Sequence, residues 1–179
     1  MRLPAAALAV LVAVVVVVQA ILALEPPTLL LGAADWTGHL ATTAIILAAI
    51  PRRLPPALIA GALLAILIDL DHIPDLLGGE GITEATPRPV SHSLLTVLAV
   101  GGIAAAVRAR TPRYGDLAVG VAIGVPLHLL RDVFTGPGVA FFWPLRTGAV
   151  EGPFVVYLAG LILVAVYAAL RPRPVQRRA

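Results

Sequence analysis

At 179 residues the chain is long enough for one domain and too short for two of ordinary size. It is 59% hydrophobic and 13% charged, with a mean hydropathy of +0.96; soluble domains run nearer a quarter charged, so a fully polar coat is excluded and a bilayer is the expected solvent. Cysteine is absent, which excludes disulfides and thiolate metal sites, and the basic residues are all arginine, standing at the ends of apolar segments rather than on a nucleic-acid-reading face.

Six apolar segments follow one another, at about 3–24, 28–50, 54–72, 91–107, 115–134 and 153–170. Backbone groups in lipid must be satisfied internally, so each is expected to be a helix, and the alternation of a membrane barrel is missing. The first follows Arg2 and is expected to be a retained span, because Glu25-Pro26-Pro27 makes a poor signal-peptide cleavage site. The third should stop before Pro74. The loops Gly78–Pro89 and Thr135–Pro153 are the long connections and fall on one side.

Charge gives that arrangement an orientation. Arg2, Arg52, Arg53, Arg108, Arg110, Arg113, Arg171, Arg173, Arg177 and Arg178 gather on one side, against Arg88, Arg131 and Arg146 on the other. The positive-inside rule places the first group, and both termini, in the cytoplasm. The expected fold is therefore all-α: a polytopic bundle of about six transmembrane helices, N-in and C-in, multi-pass in the inner membrane. Residues 1–170 form its single domain, 3–24 an additional N-terminal span and 171–179 a basic cytoplasmic tail.

Histidine and aspartate do not follow the arginines. At about 1.5 Å per residue from the flanking arginines, His39, Asp71, His92, His128 and Asp132 lie about 20 to 29 Å along their helices, in the outer third of a hydrocarbon core about 30 Å thick. Ionisable groups at that depth face a bundle interior or a watery cavity, paired or bound. Crowded carboxylates resist ionisation, and a divalent cation reverses that penalty. Imidazole with carboxylate suits zinc first, with manganese or iron as alternatives. The expected ligands are His39, Asp69, Asp71, His92, His128 and Asp132, with Asp75 or His72 as a spare general base.

Each motif also has a plainer reading. His128 and Asp132, at i and i+4, share a helix face and make either a ligand pair or a structural hydrogen bond. Asp69-Leu-Asp71-His72-Ile-Pro-Asp75 is either a ligand run or a polar helix end. Ser91 is expected to cap a helix, which would make His92 a first-turn residue, and His39 is either a ligand or a satisfied core residue. Trp36, Phe141, Phe142 and Trp143 read as interfacial aromatics.

Taken together, His39, Asp69-Leu-Asp71-His72, Ser91-His92-Ser93-Leu94-Leu95 and His128-Leu-Leu-Arg-Asp132-Val-Phe-Thr135-Gly-Pro-Gly138 with Trp143-Pro144 resemble the LexA-regulated, inner-membrane metal-dependent hydrolases (the YdjM-like family). The resemblance covers roughly residues 35–146, which would form the metal-site core. Members often carry a His-Arg pair shortly before a Thr/Ser-His-Ser, matched here by Ser91-His92-Ser93, and Pro87-Arg88 stands in place of that pair. The resemblance implies a membrane-bound hydrolase with one or two metals. From the depth of the site alone, the expected substrate is a phosphoester or other ester of a lipid or lipid-linked molecule at the extracytoplasmic leaflet. Arg88, Arg131 or Arg146 would hold an anionic headgroup. The alternatives are a metal- or proton-binding transporter-like protein and a metal-free lipid phosphatase.

Overall fold

The computed structural model describes residues 1–73 and 88–172, and Asp75 and most of the loop 78–89 lie outside them. The described residues are all-α apart from one isolated bridge between Val139 and Val150. Helices α1 (Ala5–Leu22), α2 (Thr28–Ala49) and α3 (Pro56–Leu64) come first, and α3 runs on into a 3₁₀ segment, Ala65–His72. Helix α4 (Leu94–Arg110), a 3₁₀ turn (Pro112–Tyr114), α5 (Gly115–Asp132) and α6 (Phe154–Leu170) complete the chain order. Proline punctuates it: Pro26-Pro27 separates α1 from α2, Pro51 ends α2, Pro56 opens α3 at its first position, and Pro153 precedes α6.

Helix α2 is the hub. One side packs on α1 and α6 through Leu8, Val15, Ala41, Ile45, Tyr157, Leu161 and Ala165, and the other meets α3 through Leu47, Leu54, Leu58 and Ala62. Helix α5 lies against both α3 and α4. Between α3 and α5 the backbones touch: a Cβ added at Gly120 would stand 2.1 Å from the Leu58 carbonyl oxygen, one at Gly61 2.1 Å from that of Leu117, and one at Gly124 2.3 Å from that of Ala62. Only glycine allows this approach, and the approach brings the 3₁₀ segment beside the C-terminal half of α5. At the far end of α2, the Arg171 guanidinium donates to the carbonyls of Ile50 and Met1, and Arg2 donates to those of Arg171 and Pro172.

Among the described residues one helix, Ala5–Leu22, is long and apolar enough to cross a membrane. That finding overturns the expected six-span, N-in/C-in bundle and multi-pass topology, and the assignment of the site to an extracytoplasmic leaflet falls with them. The segment 54–72 is not one helix, since its α-helical part is nine residues long. Helix α2 is long enough, but its middle carries Asp35, Thr37, His39, Thr42 and Thr43. Helix α5 carries Asp116, Arg131 and Asp132, while α4 and α6 have 17 residues each. Apolar runs also arise where helices bury their faces against one another, and hydropathy does not distinguish the two origins.

The α3–α5 contact yields a test. Gly120→Ala should lower stability by about 1–3 kcal/mol through overpacking. Gly101→Ala in α4, where a Cβ meets no atom within 4 Å, should leave it unchanged or raise it by up to about 1 kcal/mol. Thermal unfolding of the two purified variants beside wild type separates them.

Candidate metal centre

Four stretches of chain supply the site. Helix α2 contributes Asp35 and His39, one turn apart, and α5 contributes His128 and Asp132 with the same spacing. The 3₁₀ segment brings Asp69, Asp71 and His72, and the turn before α4 brings His92. Ser93, not Ser91, caps α4 by accepting from the Thr96 amide, so His92 precedes the helix instead of occupying its first turn.

All three buried imidazoles present Nε2 to Asp132, and His92 and His128 also present it to Asp69. His128 Nε2 lies 3.0 Å from Asp69 Oδ1 and 3.3 Å from Asp132 Oδ2. His92 Nε2 lies 3.3 Å from Asp69 Oδ1 and 3.6 Å from Asp132 Oδ2, and His39 Nε2 lies 3.2 Å from Asp132 Oδ1. The His39 and His128 rings stack in parallel, 3.7 Å between centroids. His39, His92, His128 and Asp132 are each at most 2% exposed, and Asp69 7%, so water does not solvate these groups.

The donors fit a divalent cation. Nε2 of His39 and of His128, Asp69 Oδ2 and both oxygens of Asp132 are buried without an aligned hydrogen-bond partner among the described residues. Buried polar atoms are rarely left so. Three overlapping ligand groups result: His39, His128 and Asp132; Asp69, His92 and His128; and Asp35, His39 and Asp69, each with ligand atoms within 4.8 Å of one another. Nitrogen with carboxylate oxygen is a donor set of zinc and of the other first-row divalent metals.

Five of the six expected ligands thus converge. Asp71 does not join these groups, because residues two apart on a 3₁₀ segment point in different directions, whereas those three apart eclipse. Asp69 therefore faces the cluster with His72 beside it at 3.8 Å, while Asp71 turns to His72 Nδ1 at 3.0 Å and accepts from the Ser91 hydroxyl. Ser91 Oγ also lies 3.1 Å from His92 Nδ1, the outer-shell contact that orients a ligating imidazole. Asp35 and Ser91 were not foreseen as site residues; the readable signal for Asp35 was its i,i+4 spacing to His39, which mirrors His128 and Asp132.

Of the three arginines expected to meet an anion, Arg131 is 1% exposed, lies between α2 and α5, and pairs with Asp35. Its guanidinium occupies the space over Gly38, where a Cβ would come within 2.6 Å of Nη2. Arg88 reaches Asp132 Oδ1 at 3.2 Å and donates to the Thr135 carbonyl at 2.8 Å. The turn beyond Thr135 needs the positive φ of Gly136 and Gly138, and a Cβ on Gly136 would approach Arg88 Nη2 to 3.0 Å. Arg146 is exposed. Nor is Trp36 simply an interfacial aromatic, since it lines a cleft with Asp35, Asp69 and His72; Phe141 packs on Leu129, Val133 and Val139.

These neighbours set the protonation states. Burial pushes Asp35 up, but contact with His39 and the charge of Arg131 outweigh it and bring the carboxyl down to about 2. Asp132 is likewise opposed by burial, yet His128, His39 and Arg88 hold it well below the usual carboxylate range. For His128 burial lowers the value while Asp132 and Asp69 raise it, to about 9.

Residues 35–179 match the family described as YdjM inner membrane protein. The chain belongs to the YdjM family. No curated protein and no solved structure matches it. The match begins at Asp35, so every described ligand candidate of this YdjM-family protein lies inside it and α1 lies outside.

Two measurements follow. A metal must displace the His128 proton, so metal affinity should rise with pH up to about 9 and then level off. In the metal-free protein the sign is opposite. The folded value lies above the ordinary 6.5, so the His128 contribution to stability is complete below about 6.5 and is lost as pH rises through about 9. Competition titrations with a chelating dye and melting curves across that range check both. Gly38→Ala, which disturbs the Arg131–Asp35 support of His39, should weaken metal binding about 10- to 100-fold in the same titration.

Proposed function

We propose that this YdjM-family protein is a metal-dependent hydrolase acting on a phosphoester or other ester of a lipid or lipid-linked substrate. The observation that carries the reading is the convergence of three Nε2 atoms and two carboxylates at one buried point, where Nε2 of His39 and of His128, Asp69 Oδ2 and both Asp132 oxygens have no hydrogen-bond partner among the described residues. His39, Asp69, His92, His128 and Asp132, with Asp35 at the edge, would hold one or two ions, zinc first among the candidates. A bound divalent metal supplies a water of lowered pKa and polarises the scissile oxygen.

The remaining steps belong to the chain. His72 is 29% exposed at the rim, and Asp71, 3.0 Å from its Nδ1, orients it and favours its protonated form. Burial lowers the His72 pKa, but the Asp71 contact and the charge of Asp69 outweigh it, for a net rise. This suits His72 to accept a proton from attacking water and return it to the leaving group. Arg88, beside Asp132, would offset anionic charge on the substrate. A lipid substrate is supported by the family's description as inner membrane proteins, by the apolar α1, and by the exposed Val10, Leu98, Val155 and Leu163 on α1, α4 and α6.

Elemental analysis of protein purified without chelator should find one or two metals per chain, lost in His128→Ala and Asp132→Ala. His72→Ala should keep the metal and hydrolyse aryl and lipid phosphates about 10²- to 10⁴-fold more slowly. Wild-type protein that is metal-free and cannot be reloaded would sink the proposal. Metal flux across proteoliposomes without turnover would favour the transporter reading.

A further inference from the structure

The ligands are sealed on most sides, and two partly exposed members of the site, Asp35 and His72, line the same opening. This cleft, of about 340 Å³, runs between the first turns of α2 and the end of the 3₁₀ segment. Asp35, Asp69 and His72 form its polar end, and the rest of its wall is Leu29, Leu31, Ala33, Trp36 and Ile73 around Gly32. Apart from the indole N–H, those wall side chains offer nothing that hydrogen-bonds. A water-soluble, polar substrate would gain nothing there. A hydrocarbon chain would gain about 25 cal/mol for each Å² it removes from water.

Gly32 shows that the space is open. A Cβ built on it meets no atom of the described residues within 4 Å, so no close backbone approach among them requires glycine at that position. Glycine inside a helix costs up to about 1 kcal/mol relative to alanine, and no packing contact at Gly32 accounts for it. A larger side chain at 32 would project into the cleft without straining α2.

We infer that this cleft holds a single hydrocarbon chain of the substrate, placing the polar group attached to that chain against Asp69 and His72. The inference rests on the hydrolase reading for the chemistry of the head, but not for occupancy of the cleft. It assigns Leu31, Gly32 and Trp36 as the residues that set chain length.

The chain has two tryptophans, so Trp143→Phe leaves Trp36 as the sole emitter. That variant, reconstituted in phosphatidylcholine nanodiscs with and without chelator, is titrated with 11-bromoundecyl phosphate, whose bromine quenches indole on contact. Saturable quenching is expected, with methyl phosphate giving none. Adding Gly32→Leu should raise the half-saturating concentration at least tenfold while metal content is unchanged. Equal saturable quenching in the Gly32→Leu variant, or only the linear quenching that bilayer partitioning produces, overturns the inference. Should Trp143→Phe fail to fold, wild type beside Trp36→Phe gives the same comparison, and a saturable signal that survives Trp36→Phe overturns it too. Quenching as expected in protein that binds no metal would leave the cleft standing and remove the hydrolase; metal and turnover without saturable quenching would do the reverse.

Discussion

An ionised carboxylate cannot be taken out of water unless something replaces the water, and Asp132 is wholly buried. Much of the architecture answers that requirement. His39 from α2, His92 from the turn before α4, His128 from its own helix and Arg88 from the preceding loop all lie within 3.6 Å of its oxygens. Only His128 shares the helix of Asp132; His39 and the Arg88–His92 stretch come from elsewhere in the chain, so the charge of Asp132 is fully accommodated only when the helices have docked. The site and the fold are therefore one cooperative object.

The docking is specified by small residues as much as by large ones. Gly61, Gly120 and Gly124 let α3 and α5 meet backbone to backbone, and that distance sets Asp69 against His128. Winding residues 65–72 as a 3₁₀ segment then divides the labour of the acidic run: Asp69 turns to the ligand atoms, and Asp71 turns to His72 and Ser91. On the opposite face, Arg131 fills the space over Gly38 and holds Asp35 beside His39. A buried cation thus supports the ligand set without offering itself to a substrate.

The same packing gives the site a direction. Its most buried members lie where α2 and α5 cross, its partly exposed members lie towards the start of α2, and there the polar lining gives way to leucine, tryptophan and isoleucine. A polar end and an apolar wall thus stand side by side in one cleft. The arginines that close the other end, Arg2 and Arg171, tie α1, α2 and α6 together.

The sequence by itself determined the helical class and the histidines and aspartates that could hold a divalent metal. Apolar runs this long, cut by proline and without the alternation of strands, read as helices whether they face lipid or a packed core, and aspartate and histidine repeatedly interrupting such runs have few uses other than one another or a metal. His39, Asp69, His92, His128 and Asp132 were legible for that reason, as was the family. Tertiary structure decided the rest. Hydropathy weighs composition and is blind to which face of a helix is turned inward, so the expectation of six spans gave way to helices packed on each other with, among the described residues, one span-length apolar helix, α1. Facing also separated Asp69 from Asp71, recruited Asp35 and Ser91, and paired Arg131 with Asp35. These are three-dimensional facts, because spacing along a chain fixes neighbours only within one regular element, and the partners here come from different ones.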